Sequence, residues 1–272
     1  NFFKLVTCNY LWKSYNIFMK YDKPRVLVIG DKCSDHYTYG RVDRLCPDVP
    51  APVFKPTRTI QTDGMAGNVA RQLKEWGCAV DTKWNTEFIC KHKYIDEKTN
   101  HTFIRVDQEN IIKHILPQDL RYLLIHAEEK WDAIVVSDYG KGYLTRASVS
   151  MICRSHPCVF VDTKKLIDLD MKEVKFIKIN EPEWNATKDN INPNDWKEQI
   201  IVTLGSEGCM YNGNFYPVDG VDVLDLSGAG DTFMCGLVMK YVETNDIEKS
   251  LYFANDCAKR VVQKKGVATT QL

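Results

Sequence analysis

The sequence has no apolar run long enough to cross a bilayer, no C-x-x-C pair among its ten cysteines, and no surplus of either charge, with 36 Lys and Arg against 36 Asp and Glu. Each absence narrows the field. Without a long apolar run, no membrane-spanning helix is expected. A balanced charge gives no electrostatic reason to hold nucleic acid or an anionic membrane, so neither is expected as a partner; a local basic pocket for a small anion stays open. The cysteines keep no regular spacing, and several sit inside apolar runs, such as Cys158 in CVFVD and Cys235 in FMCGLV. They read as reduced, buried thiols of a cytoplasmic protein, and no spacing favours a zinc site. There is no internal repeat, low-complexity tract or domain linker.

What is present is ordinary in bulk and specific in detail. The chain is 44% apolar and 26% charged, the mix of a globular protein, and its 272 residues suffice for one large α/β domain or two small ones. The opening segment NFFKLVTCNYLWKSYNIFMKYDKP is aromatic and basic. It lacks a clean apolar centre and a small-residue cleavage site, so it does not read as a signal peptide. Residues 1–23 are expected to be an N-terminal extension. Either the natural start is Met19, or the segment is a helix packed on the outside of the domain.

Five short runs carry the architecture: RVLVIGD (25–31), DAIVVSD (132–138), CVFVDT (158–163), KFIKIN (175–180) and QIIVTLG (199–205). Val- and Ile-rich runs without alternation predict strands buried on both faces, as in a parallel sheet. Helical patterns separate them. NVARQLKEWG sets Val69, Leu73 and Trp76 on one side and stops at Gly77; PQDLRYLLIHAEEKW reads as one helix from Pro117; IEKSLYFANDCAKRVVQKKG runs to a stop at Gly266. This alternation predicts a doubly wound, mostly parallel α/β sheet with right-handed crossovers. Residues 36–62 and 86–107 break the pattern with extended, polar-alternating pieces, which predict a small antiparallel β lid. CMYNGNFYPV carries Asn212-Gly213, a two-residue hairpin signal.

Four stretches bear chemistry. In DLSGAGDTF, Gly228, Ala229 and Gly230 leave main-chain N–H groups bare at the start of a helix, where the dipole also favours an anion. Asp231 follows at once. It is expected to be ionised in that field and to accept a proton from a hydroxyl while the amides hold the charge of a moving phosphoryl group. The plain alternative is a carboxylate that only caps the helix. In NEPE, Asn180 and Glu183 could organise a hydrated magnesium ion, or simply end a strand and start a helix. In GDKCSDHY, Asp31 and Asp35 stand at a strand's carboxyl end, where sugar hydroxyls could be met. In DGMAGNVA, Gly64 and Gly67 allow close backbone approach and Asn68 opens a helix. Turn and cap chemistry would explain these last two stretches as well.

The order of these stretches, with TLGSEG, resembles the PfkB/ribokinase superfamily of carbohydrate kinases over roughly residues 24–270. Within it the chain looks most like the D-glycero-β-D-manno-heptose-7-phosphate kinases, through VLVIGDKCSDHYTYGRVDRLCPDVPAPVF, KYIDEKTNHTFIRVD, VVSDYGKGYL, VDTKK and ANDCAKRVVQKKGVATT. The resemblance implies a ribokinase-like kinase domain over 24–272. It makes Asp231 the catalytic base, with Gly228, Ala229 and Gly230 as the anion hole. Asn180 and Glu183 would organise magnesium and ATP, Glu183 holding the metal through water. Thr203, Gly205, Gly208, Ser227 and Asn255 fall on the ATP side. Asp31, Asp35, Gly64, Asn68 and Lys164 fall on the substrate side, and the charge of Lys91 and Lys93 suits a sugar phosphate, although solvated lysines on the lid would look the same. Asp63, Met65, Leu226 and Cys235 depart from the usual pattern without touching the base or the anion hole. Bifunctional members of that group carry a second, nucleotidyltransferase domain; a kinase domain alone is expected in these 272 residues. The lid could pair with its twin in a homodimer. A kinase for another sugar or nucleoside, or a non-catalytic sugar or nucleotide sensor on the same scaffold, remain the alternative readings.

Overall fold

The computed structural model describes residues 23–264. The expectations for Met19, for a helix within residues 1–22 and for the stop at Gly266 lie outside the described residues. Strand β1 (Arg25–Gly30) leads through two long strands, β2 (Lys32–Leu45) and β3 (Pro52–Met65), to helix α1 (Ala66–Glu75) and strand β4 (Ala79–Trp84). Then come β5 (Ile89–Asp96), β6 (Thr102–Glu109), α2 (Pro117–Leu124), α3 (Ala127–Lys130), β7 (Ala133–Asp138), α4 (Arg146–Cys153), β8 (Val159–Thr163) and β9 (Phe176–Asn180). The chain continues with α5 (Glu181–Thr187), α6 (Pro193–Trp196), β10 (Ile200–Thr203), β11 (Gly208–Tyr211), β12 (Asn214–Pro217), α7 (Ala229–Thr244) and α8 (Ile247–Val262).

All five predicted strands lie in one eight-stranded sheet, in the order β12-β11-β10-β9-β8-β7-β1-β4, and they pair parallel. β1 shows why they read as unbroken apolar runs. Val26 and Val28 join a core with α1, α7 and α8, whereas Leu27 and Ile29 join a second core with α2 and α4 on the other face. The edge strand β4 escapes sequence reading because its residues alternate between exposed and half-buried. The β11–β12 hairpin turns through Asn212 (φ 50°) and Gly213 (φ 75°), the left-handed pair the Asn-Gly signal predicts.

The segment 117–131 is not one helix. His126 takes a left-handed conformation (φ 56°) and Ile125 is extended, so α2 and α3 are separate. Leu120, Leu124, Ala127 and Trp131 still reach the same core across the break.

The second, smaller sheet has the order β3-β2-β5-β6 and holds the segments expected to form the lid. β2 starts earlier and β3 ends later than the predicted 36–62, because β2 leaves β1 after the single residue Asp31; β5 starts three residues inside the predicted 86–107, and β6 ends two residues beyond it. Its β2–β5 pair is parallel, and the other two pairs are antiparallel. Nine free cysteines are found among the described residues, seven of them buried.

Candidate active site

The start of α7 is where the chemistry-bearing stretches converge. Gly228 caps the helix in a left-handed conformation (φ 81°), and Asp231 lies in the first turn. Ala229 N–H donates to Leu226 O at 3.3 Å and Thr232 N–H to Gly228 O at 2.9 Å. Among the described residues, no internal acceptor takes the N–H of Gly228, Gly230 or Asp231. These amides face the positive end of a sixteen-residue helix dipole. Of the expected anion hole, Ala229 is therefore the exception: its amide is spent on closing the turn.

Asp231 is buried, and each carboxylate oxygen has a donor. Asn68 Nδ2 reaches Oδ2 at 2.7 Å, and Tyr139 OH reaches Oδ1 at 2.6 Å. Burial pushes the Asp231 pKa above the ordinary carboxylate value, with Asp162 adding to the rise; Asn68, Tyr139 and Lys178 pull against it. The expected direction was the opposite. The helix field is present, but desolvation outweighs it.

Asn68 does not open a helix. α1 begins two residues earlier, after Met65, which has positive φ (56°). Asn68 sits inside the first turn, and its amide is oriented by its neighbours. Arg71 Nη2 donates to Asn68 Oδ1 at 2.6 Å and Gln72 Nε2 at 3.2 Å. Gln72 is fixed in turn by Thr232 Oγ1 at 2.9 Å. With Oδ1 taken by two donors, Nδ2 is the end that meets Asp231.

Two cavities meet at this turn. The smaller, about 180 Å³, is lined by Asp35, Tyr37, Met65, Asn68, Lys91, Lys93, Arg105, Tyr139, Ser227, Gly228 and Asp231. Its lid wall is a pair of cross-strand rows: Asp35, Lys91 and Asp107 in one, and Tyr37, Lys93 and Arg105 in the other, with the β5 lysine in the middle of each. Arg105 forks onto Asp107 through two bonds of 2.7 Å, and Lys93 Nζ donates to Ser227 Oγ at 2.9 Å. Asp35 lies in a lid strand, not in a loop. Gly64 does not line the cavity but makes room for Asp35: a Cβ there would come within 2.3 Å of Asp35 Oδ2.

The larger cavity, about 570 Å³, lies on the other side of the turn. Asn180, Thr203, Gly205, Gly208, Ala229, Gly230 and Asn255 line it, with an apolar wall from Val218, Val221, Val223, Leu226 and Phe233. Its floor holds Lys178, nearly enclosed, at 2.6 Å from Asp162. Burial works against the Lys178 charge, yet Asp162, Asp231 and Glu183 together hold its pKa above the ordinary lysine value. A Cβ on Gly230 would stand 3.0 Å from Lys178 Nζ, so the bare glycine lets the ammonium reach the helix N-terminus.

Asn180 and Glu183 form a reciprocal capping box on α5, each side chain bonding the other's main-chain N–H at 2.9 Å. The second Glu183 oxygen takes Lys164 Nζ. Among the described residues no group of three or more His, Cys, Asp or Glu could hold a metal. This donor set builds no protein cage. Glu183 lines neither cavity and both of its oxygens are engaged, so the ion these residues suit is a magnesium that keeps most of its own water and arrives on the phosphates of a nucleotide.

Besides Gly64, four expected positions fall elsewhere, and Glu183 is one of them, lining neither cavity. Asp31 lines neither cavity; it is fully buried and accepts the N–H groups of Lys141 at 3.0 Å and Tyr143 at 3.2 Å, holding the loop after β7. Lys164 is on the larger cavity, not with the substrate residues, because its partner is Glu183. Ser227 is on the smaller cavity, where Lys93 holds it. Sequence reasoning missed Tyr139, Asp162, Lys178 and Arg105. Two of these left a signal: Asp162 and Lys178 are charged residues inside the otherwise apolar strands VFVDT and FIKIN.

The sequence pattern of the pfkB family carbohydrate kinases matches residues 157–272. The curated bifunctional protein HldE of Nitratiruptor sp. is 28% identical over 92% of this chain and 64% of its own length. HldE of Helicobacter pylori (strain J99) is 30% identical over 91% of this chain and 65% of its length. The chain thus spans just under two thirds of these relatives. Among solved structures, phosphofructokinase-2 from Escherichia coli in complex with potassium superposes with a TM-score of 0.66 at 14% identity, over 90% of this chain and 94% of that one. At that identity the likeness speaks for the fold, which is ribokinase-like.

Proposed function

From the premise that the chain carries a PfkB-family sugar kinase domain, we propose that it moves the γ-phosphoryl group of ATP to the hydroxyl of a phosphorylated sugar at the start of α7. One observation carries this reading. Successive residues of a single helical turn open to different cavities: Ser227, Gly228 and Asp231 to the small charged one, Ala229 and Gly230 to the large one. A donor in one and an acceptor in the other would meet at the free amides, with a carboxylate beside them.

Asp231 takes the proton of the acceptor hydroxyl. The hydroxyl oxygen forms a bond to the γ-phosphorus as the bond from phosphorus to the bridging oxygen breaks, and ADP leaves. The N–H groups of Gly228 and Gly230 and the Lys178 ammonium face the charge that spreads over the transferred group. Glu183 and Asp162 would hold magnesium through its water shell, where the ion neutralises phosphate charge. The apolar wall of the large cavity suits a flat base, with Thr203, Gly205, Gly208 and Asn255 around it. In the small cavity Asp35 and Asn68 suit sugar hydroxyls, and Lys91, Lys93 and Arg105 suit an anionic group.

The acceptor we favour is D-glycero-β-D-manno-heptose 7-phosphate, phosphorylated at its anomeric hydroxyl. Support comes from the HldE relatives together with the three cations on the lid. The exposed lid side chains Ile60, Ile104 and Val106 support pairing with a second copy. Among the described residues no helix is long and apolar enough to cross a membrane, and we take the protein to be cytoplasmic.

A panel of sugars and nucleosides, each with and without a phosphate, assayed with ATP and magnesium, tests the reading. The heptose 7-phosphate should give the highest kcat/KM. A higher value for an unphosphorylated sugar or a nucleoside would move the assignment to another kinase of this type. Tight binding of acceptor and ATP without turnover of any compound would make the protein a sensor.

A further inference from the structure

Among the described residues, Tyr139 is the one side chain that lines both cavities. Lys91 Nζ lies 5.4 Å and Lys164 Nζ 5.7 Å from the centroid of its ring. Lys91 belongs to the small cavity and Lys164 to the large one, so the ring stands where the two adjoin.

The loop that carries it is held by two buried carboxylates. Asp138 accepts Gly140 N–H at 3.0 Å with one oxygen, and Thr163 Oγ1 at 2.6 Å and Lys165 Nζ at 2.5 Å with the other. Asp31 accepts the N–H groups of Lys141 and Tyr143. The Tyr139 hydroxyl is therefore delivered to Asp231 by a fixed backbone. Burial first, and the Asp231 charge next, raise the Tyr139 pKa well above the ordinary phenol value. The phenol stays protonated and donates.

We propose that Tyr139 is a positioning residue for the base: with Asn68 it clamps both oxygens of Asp231, keeps the buried carboxylate ionised and turns its remaining lone pairs to the acceptor cavity. This rests on the reading of Asp231 as the base. The two donors are needed because the surroundings are mixed in sign. Asp162 faces Asp231 from β8 and Lys178 from β9; Cys33 and Asp35 stand on β2, Lys91 and Lys93 on β5, and Arg105 on β6. Behind Asn68 stands the Arg71 guanidinium.

Tyr139→Phe keeps the ring and removes only the donor. Loss of a bond to an ionised acceptor should raise the Asp231 pKa by about one unit or more. Because the base must be ionised, the acid limb of the kcat profile should move up by the same amount. At pH values above the limb, turnover should recover to within about tenfold of the parent enzyme. A ring that merely packs would lower the rate equally at every pH and leave the limb in place.

The carboxyl ¹³C signal of Asp231, assigned by its loss in Asp231→Asn, reads the same titration without any substrate. A higher midpoint in Tyr139→Phe supports the clamp, and Asn68→Ala should shift it the same way. An unchanged midpoint and an unchanged acid limb overturn the clamp. If the parent protein turns over no acceptor, the kinase reading fails, and the ¹³C titration still decides whether the clamp exists.

Discussion

The two cavities that meet at Asp231 are built in opposite ways. The small one is walled by long charged side chains on lid strands, set opposite each other by strand register: Lys91 beside Asp35, Lys93 beside Arg105. The large one is walled by glycines, main chain and short apolar residues of the 218–226 loop, with one buried ion pair in its floor. Side chains on strands can be exchanged without disturbing the backbone, whereas a wall of backbone cannot. On the proposed reading, acceptor choice therefore belongs to the lid, and the common donor to the main sheet.

Removing one floor residue should break the donor side alone. Asp162→Ala leaves Lys178 buried without its closest partner, a loss of about 3 kcal/mol or more in folding free energy by urea denaturation. The folded fraction should bind ATP less tightly and hold its acceptor as before. An equal loss on both sides would mean that the cavities are not separate. The lid should show the converse. Lys93→Ala should raise the KM of a phosphorylated acceptor roughly tenfold to a hundredfold, the worth of one charged hydrogen bond, and leave the KM of ATP alone. An unphosphorylated analogue should be indifferent to the change, and a matching loss with that analogue would detach Lys93 from phosphate. The smallest effect sharpens the geometry. Gly64→Ala would press on Asp35, whose carboxylate would have to swing aside, and should cost the acceptor about 1 kcal/mol with little effect on ATP.

The same contrast explains what could be read from sequence. The five parallel strands were legible because both of their faces are buried, which leaves no alternation to confuse. β4, at the edge, was not. The break at His126 was not legible either, since a left-handed residue without glycine follows from packing and not from propensity. In the site, the glycine turn announced itself locally through Gly228, Gly230 and Asp231. The partners that set the protonation of Asp231 did not. Tyr139 is 92 residues away and Asn68 163 away, and only the fold brings them to the carboxylate. The helix field, readable from sequence, pointed to a lowered pKa. Burial, which is not readable, reversed it.

The most direct measurement is turnover by Asp231→Asn alongside its affinity for ATP. The amide matches the carboxylate in size but has no charge with which to take a proton. With Asp231 as the base, kcat should fall on the order of 10³-fold or more while calorimetry finds ATP bound as tightly as before. Turnover within a few fold of the parent enzyme would contradict a proton acceptor at this position.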